Sequence, residues 1–481
     1  MKVRLRGTCT RFLLRNIERG CIFARAVQQE MAHRVPRVVT HRDLDRLAIP
    51  AIISGIAEPV ISLVDTAFVG RLGTADLAAV GISSSFFLLV VWVLAQTRSA
   101  VLAVVARYYG EQRVDAVREL VPIAVWMNVV VGIGFFALTN VFAETIFKLY
   151  NADGEILQKA VEYYRIRSYG YPIVLATFVI TGAFRGIQNM RWGMWISILG
   201  AGVNLALNPV LIFGFGAIEG MGIAGSAWAS LIAQVVMFGT AVFIMVRHTP
   251  FPLFPSSWHH PELLGLWLLS GNLFARTIAL NICYYMGNRF ATGYGVAYIG
   301  AHSIAMQLWL FSAFFIDGYA AAGSVLVGRL AGERNWSDLY RMSWLVVRKS
   351  VYIGFALAVL FAVGYTVIGT VFTTDVAVLT LFHGIFWMVV ITQPINSIAF
   401  GFDGIYKGLG LGKVLRNVLL IATFGAFIPV ILVTDAMDWH LLAVWTAFLS
   451  WMFVRGSLLA VHFQKNYGAR AIRRRALTSN A

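Results

Sequence analysis

Apolar runs of about 20 residues recur along nearly the whole chain, the length a helix needs to cross a bilayer. Short stretches rich in Gly, Pro and charge separate them. Reading runs against breakers predicts about twelve helices, centred near residues 60, 92, 134, 172, 202, 234, 278, 313, 358, 392, 424 and 451. Several exceed about 25 residues, which implies tilt, kinks or ends that project from the bilayer. The stretch from Val246 to Leu264 breaks the pattern with Pro250, Pro252, Pro255 and Pro261 beside His259 and His260, and reads as a linker between two halves.

The two halves repeat one another. Gly70-Arg71-Leu72-Gly73-Thr74 after the first run matches Asn288-Arg289-Phe290-Ala291-Thr292 after the seventh. Arg107-Tyr108-Tyr109-Gly110-Glu111 matches Arg329-Leu330-Ala331-Gly332-Glu333, and Phe184-Arg185-Gly186-Ile187 matches Phe402-Asp403-Gly404-Ile405. The separation stays near 218 to 222 residues at all three places, a constancy that coincidence would not give. Six helices per half preserve orientation, so the halves are related by an axis along the membrane normal, and the default substrate site lies at their interface. The expected fold is therefore an all-α integral membrane protein of two parallel-related six-helix bundles, 46–247 and 262–464. A linker, 248–261, joins them; a basic arm, 1–45, precedes them and a basic tail, 465–481, follows.

Composition agrees with lipid as the solvent: 59% of residues are hydrophobic and only 13% charged, more apolar surface than a soluble core absorbs. The net charge of +16 raises the question of nucleic acid, and its placement answers it. The bases collect in alternate loops: Arg107, Arg113 and Arg118; Arg185 and Arg191; Arg247; Arg329, Arg334, Arg341, Arg348 and Lys349; Lys407, Lys413 and Arg416; then the tail from Lys465. The intervening turns carry Asp76, Glu219, Asp375, Asp435 and Asp438 instead. This bias predicts a multi-pass protein of the cell inner (plasma) membrane with both termini cytoplasmic, and it assigns the bases to topology and anionic lipid, with no nucleic-acid partner. Cys9, Cys21 and Cys283 offer neither a disulfide framework nor a metal cluster. The arm lacks a continuous apolar core, so it is not a secretory signal; it reads as an over-extended start, with Met31 opening a short polar lead into the first helix.

An ionisable residue inside a span costs about 3 kcal/mol on insertion scales, so each is a functional candidate. The first span carries Glu58-Pro59 and, seven residues on, Asp65; nearly two helical turns put both carboxyls on one side, and Pro59 permits a bend. Such a carboxyl could bind a proton or cation as its cavity opens to either side, or simply pin packing through neighbouring hydroxyls and amides. Asn204 and Asn208 stand one turn apart in the fifth span, before Pro209. They could serve Asp65, a substrate or interhelical packing. The second half offers Asn272 and Arg276 in span seven, Asp317 in span eight and Asp403 in span ten; Arg276 could pair with Asp317 or with Asp403. Arg98 and His302 are weaker candidates. No Walker loop, HExxH or GxSxG is present, so the chain is not expected to be an enzyme or to hold a metal or cofactor, and its energy would come from an ion gradient.

At these residues the sequence resembles the multidrug and toxic compound extrusion (MATE) transporters, specifically their DinF-like branch, over about residues 45 to 465. The resemblance rests on Glu58-Pro59 through Val64-Asp65-Thr66 to Val69-Gly70-Arg71-Leu72-Gly73, on Ile316-Asp317-Gly318-Tyr319-Ala320, and on Phe402-Asp403-Gly404-Ile405. It implies a V-shaped pair of bundles and multidrug (xenobiotic) efflux by antiport, exporting small organic or amphiphilic compounds against protons or sodium. It further implies that Asp65 takes up a proton, the first helix bends and substrate affinity falls. Two departures stand out: relatives often place Asp where this chain has Asn208, and the NorM-like branch uses a span-seven Glu that is absent between Leu263 and Arg289. Proton coupling through Asp65 thus outranks sodium coupling through the second half, and a monomer is expected. A lipid or lipid-linked precursor flippase of related fold is the alternative reading; an integral-membrane transferase is disfavoured by the mid-span positions of Asp65, Asn204 and Asp403.

Overall fold

The computed structural model describes residues 40–150, 152–216 and 218–468, without the side chains of residues 57–64 and 218. The basic arm with its Met31 start and most of the tail lie outside the described residues. Among the described residues twelve long helical segments follow one another. They are α1 His41–Val69, α2 Thr74–Gly110, α3 Val114–Val141, α4 in two pieces (Gly154–Ser168 and Gly170–Gly186), α5 Met190–Phe213 and α6 Gly222–His248. In the second half come α7 Leu263–Tyr294, α8 Val296–Gly332, α9 Trp336–Val363, α10 Val376–Gly408, α11 Gly412–Asp435 and α12 Leu441–Phe463. Ten of these, all but α1 and α4, are long and apolar enough to cross a membrane, and Gly170–Gly186 is a shorter apolar helix. A two-residue antiparallel hairpin, Gly214–Phe215 with Ile218–Glu219, joins α5 to α6.

Local chemistry explains where the helices start and bend. Asn189, Asn335 and Asp375 cap α5, α9 and α10 by accepting from Trp192 N (3.4 Å), Asp338 N (3.3 Å) and Ala377 N (2.8 Å), which satisfies amides that the first helical turn leaves without partners. In α11 the turn Thr423–Phe427 widens to a π-helix just ahead of Pro429, whose ring removes a backbone donor.

The repeat is visible at single-residue level. A Cβ on Gly110 would overlap the carbonyl oxygen of Arg329, and a Cβ on Gly332 would overlap that of Arg107. The same two contacts are thus made in both directions where α2 and α8 cross. Gly182 of α4 likewise lies on the Arg98 carbonyl of α2, and Gly404 of α10 on the Ala320 carbonyl of α8. Left-handed turn residues recur in step as well: Gln112 and Arg334 (φ 57° and 54°), Gln188 and Gly410 (φ 65° and 70°). Each of these pairs is separated by 222 residues. In two places the structure corrects the sequence match: Arg185 corresponds to Lys407, one turn beyond Asp403, and Asn288 to Thr292 does not follow the seventh helix but lies inside α7. α1 stops at Val69, whereas α7 stays helical to Tyr294, so the two loops are offset from the register set by side-chain resemblance.

Each half has an aromatic interior. Phe87 stacks on Tyr171 (4.7 Å between centroids) and Tyr164 meets Phe147 edge-on in the first half, while Phe448 touches Trp445, Trp451, Trp309 and Phe427 in the second. In lipid such packing, together with close approach at small residues, holds helices together, because apolar burial alone gains nothing over lipid tails. Between the halves, α8 packs on α1 and α2, and α7 on α2. The 249–262 segment lies against the first half at the end bearing Arg107: Trp126 stacks on Phe254 (5.2 Å) and donates to Leu253 O (3.0 Å). Glu262 accepts from Arg107 (2.7 Å) and Tyr108 (2.9 Å).

Candidate functional site

Asp65 sits four residues before the end of α1, half-buried against α5 and α6. Asn204 and Asn208 face it because four residues is about one helical turn. The Asn208 amide donates to Asp65 Oδ1 and also to Asn204 Oδ1 (3.0 Å). Asn204 donates in turn to the Ser230 hydroxyl of α6 (3.1 Å), and that hydroxyl reaches Asp65 Oδ2 at 3.5 Å. The result is a closed ring of one carboxylate, two amides and one hydroxyl drawn from three helices. Asn208 Oδ1 is buried and has no hydrogen-bond partner among the described residues. Arg167 of α4, whose guanidinium lies 4.4 Å over the Phe87 ring, is close enough to act on the Asp65 charge. Neither Ser230 nor Arg167 stands out in the sequence: serines are common in spans, and Arg167 falls in the polar stretch Glu162 to Ser168, which reads as a loop-side helix. The Glu58 side chain lies outside the described residues.

The same α1 that carries Asp65 lines a second feature. A cavity of ≈ 870 Å³, its open mouth included, lies mainly among first-half helices with α8 of the second half along one side, and is bounded by Ser54 and Gly55 of α1, Arg98 of α2, Thr181 and Arg185 of α4, and Asp317 of α8. Ser54 is tied to Ser197 of α5 at 3.0 Å. One continuous helix therefore joins the carboxylate ring to the cavity wall.

Of the second-half candidates, only Arg276 and Asp403 come together. Asp403 Oδ1 accepts from Arg276 (3.0 Å from Nε, 2.6 Å from Nη2) and from Arg455 of α12 (2.8 Å), and Oδ2 from Lys407 (2.8 Å). Arg276 does not pair with Asp317, which faces the cavity instead. Asn272, one turn before Arg276, donates to Leu268 O of its own helix (2.5 Å) and takes no part in the cluster. Arg455 was discoverable: it interrupts the apolar run of α12, and a buried guanidinium there demands a carboxylate. It also lies over the Phe400 ring (5.3 Å). His302 is buried between Trp445 and Phe448, apart from both sites. Among the described residues no group of His, Cys, Asp and Glu could hold a metal ion.

Twin helical halves, a cavity that both halves line and a half-buried carboxylate on a helix that reaches it define a polytopic transporter. The MatE family model matches residues 50–210 and again 273–433, one copy per half. The chain belongs to this family of multidrug and toxic compound extrusion transporters and is a cation-coupled efflux transporter, not an enzyme. It is 26% identical over 424 residues to Protein DETOXIFICATION 44, chloroplastic, of Arabidopsis thaliana, covering 85% of this chain and 79% of that protein. It is 24% identical over 435 residues to the DNA damage-inducible protein F of Escherichia coli (strain K12), covering 88% and 91%. Its fold is that of a multidrug resistance MATE family transporter of the MOP superfamily solved in an outward-facing conformation: TM-score 0.81, 20% identity, 89% of this chain and 96% of that one.

Proposed function

We propose that the protein exports small organic or amphiphilic compounds by proton antiport, with Asp65 as the proton-binding group. The observation that carries this reading is the contrast between Asp65, half-buried, and Asp403, fully buried. Asp403 is already neutralised by Arg276, Arg455 and Lys407, so neither proton nor sodium has a vacant charge to bind there. Asp65 is held by neutral amide and hydroxyl groups, with Arg167 nearby. Protonation of Asp65 removes the charge that the Asn208 amide and Ser230 hydroxyl hold, loosening α1 from α5 and α6. Because Ser54 and Gly55 on the same helix line the cavity, that loosening changes the cavity wall. One proton moving inward gains about 2.3 kcal/mol per 100 mV, enough for more than tenfold accumulation.

The basic loops favour a cytoplasmic position for the end that carries Arg107 and Arg329, and hence a plasma-membrane protein with cytoplasmic termini. In this reading bundle 46–247 houses the coupling group, and bundle 262–464 is braced by Asp403, with Asn204 and Asn208 supporting Asp65. Sodium coupling at the same ring is the second reading, favoured by the unpartnered Asn208 Oδ1, since a hard cation takes oxygen ligands. The test is export from proteoliposomes under an imposed proton or sodium gradient, wild type beside Asp65→Asn. Proton-driven export that the variant loses is expected; full gradient-driven export by the variant would make Asp65 structural.

A further inference from the structure

The internal repeat exposes a charge that one half satisfies from within and the other does not. Arg185 and Lys407 are equivalent positions of α4 and α10, separated by the same 222 residues as the glycine pairs, and so are Thr181 and Asp403. In the second half Lys407 closes on Asp403 one turn earlier, at 2.8 Å. In the first half the residue one turn earlier is Thr181, whose hydroxyl donates to Phe178 O of its own helix (3.1 Å). Arg185 thus has no carboxylate of its own, and it borders the cavity. Asp317 borders the same cavity from α8. Among the described residues neither Arg185 nor Asp317 makes a side-chain hydrogen bond or ion pair. Arg185, half-buried in the last turn of its helix, and Asp317, exposed on α8, thus bring two charges of opposite sign to one open cavity from opposite halves.

We propose that this cavity takes a zwitterionic amphiphile, its carboxylate-like group on Arg185, its ammonium on Asp317 and its apolar body against Trp92, Phe178 and Phe314. The ligand's acid then stands where Asp403 stands in the other half. A purely cationic ligand would leave Arg185 without a counter-charge, and a purely anionic one would leave Asp317 without one. The inference rests on the export reading above for its biological sense, while the binding preference itself follows from the cavity alone.

Three probes with one fluorescent body test it: Nα-dansyl-lysine (zwitterion), dansylcadaverine (the same without the carboxylate) and dansyl-norleucine (the same without the ammonium). With the purified full-length protein in detergent at neutral pH, dansyl-lysine should bind about tenfold or more tightly than either, the worth of one charge-assisted contact. Arg185→Gln should reduce dansyl-lysine to the affinity of dansylcadaverine, and Asp317→Asn to that of dansyl-norleucine. Equal or tighter wild-type binding of either singly charged probe, or saturable binding of none, overturns the proposal whatever the variants do. A retained preference with no gradient-driven export of dansyl-lysine from proteoliposomes would instead refute the coupling reading and leave this one standing.

Discussion

Replacing Asp403 by Asn removes one negative charge from a site that holds three positive ones. The side chains of Arg276 and Arg455 are only 7% and 2% exposed, so neither can carry its charge to water, whereas Lys407, 22% exposed, has a route outward. Both arginines use the same carboxylate oxygen, so their losses are not separate contributions to be summed. Breaking a buried pair by removing one partner costs about 3–5 kcal/mol, a large share of a total stability on the order of 5–15 kcal/mol. Purified Asp403→Asn, followed by tryptophan fluorescence on heating in detergent, should therefore unfold about 5 °C or more below wild type and accumulate poorly in membranes. The triple replacement Asp403→Leu, Arg276→Met, Arg455→Met, which deletes the charges together, should recover much of that loss. Wild-type melting by Asp403→Asn, accompanied by altered proton or sodium dependence of transport, would refute the reasoning and make Asp403 a coupling group.

The remaining expectations concern the carboxylate ring and the contact between the halves. Asn208→Leu strips Asp65 of its closest donor and should cut gradient-driven export about tenfold. Ser230→Ala, whose hydroxyl reaches the carboxylate only at 3.5 Å, should cost less than about threefold in the same assay; the reverse order would show that Ser230 is the main partner. Gly110→Val and Gly332→Val both insert atoms where backbones touch, and each should weaken the α2–α8 crossing by about 1–3 kcal/mol. A cysteine at Thr181 should then label faster with an impermeant maleimide added from the side of Arg107, and by similar factors in the two variants. Glu262→Gln removes the charge that holds Arg107 at 2.7 Å, but Arg107 is 44% exposed, so unfolding should shift by less than about 1 kcal/mol. A large shift would mean that the linker clamps the halves.

How much of this was legible in the sequence depended on whether the signal was periodic or pairwise. The spans were legible because apolar runs and breakers are local, and the shared face of Asn204 and Asn208 because helical spacing is fixed. That Arg276 meets Asp403 rather than Asp317 was not, since both carboxylates lie in spans and only the crossing of α7, α10 and α12 decides between them. The repeat was read correctly at Arg107 and Arg329, where short motifs flank well-defined helix ends, but one turn out of register at Arg185, which corresponds to Lys407 and not to Asp403. It slipped at Arg289 because a helix may run on through residues that look like its partner's loop. Arg167 escaped because its importance comes from the neighbouring α1, which nothing in its own segment announces.

The crossing of α2 and α8 has a further consequence. Gly110 rests on Arg329 and Gly332 on Arg107, so each strip of surface meets a copy of itself turned around, as in a dimer of identical subunits. A single chain has no need of such self-complementarity, and a gene doubled end to end inherits it. The contact therefore constrains change twice over: a substitution at either glycine must be accommodated by a surface that has its own glycine to keep. The charges, by contrast, are free of that constraint and differ between the two copies: Asp403 and Lys407 stand where Thr181 and Arg185 do.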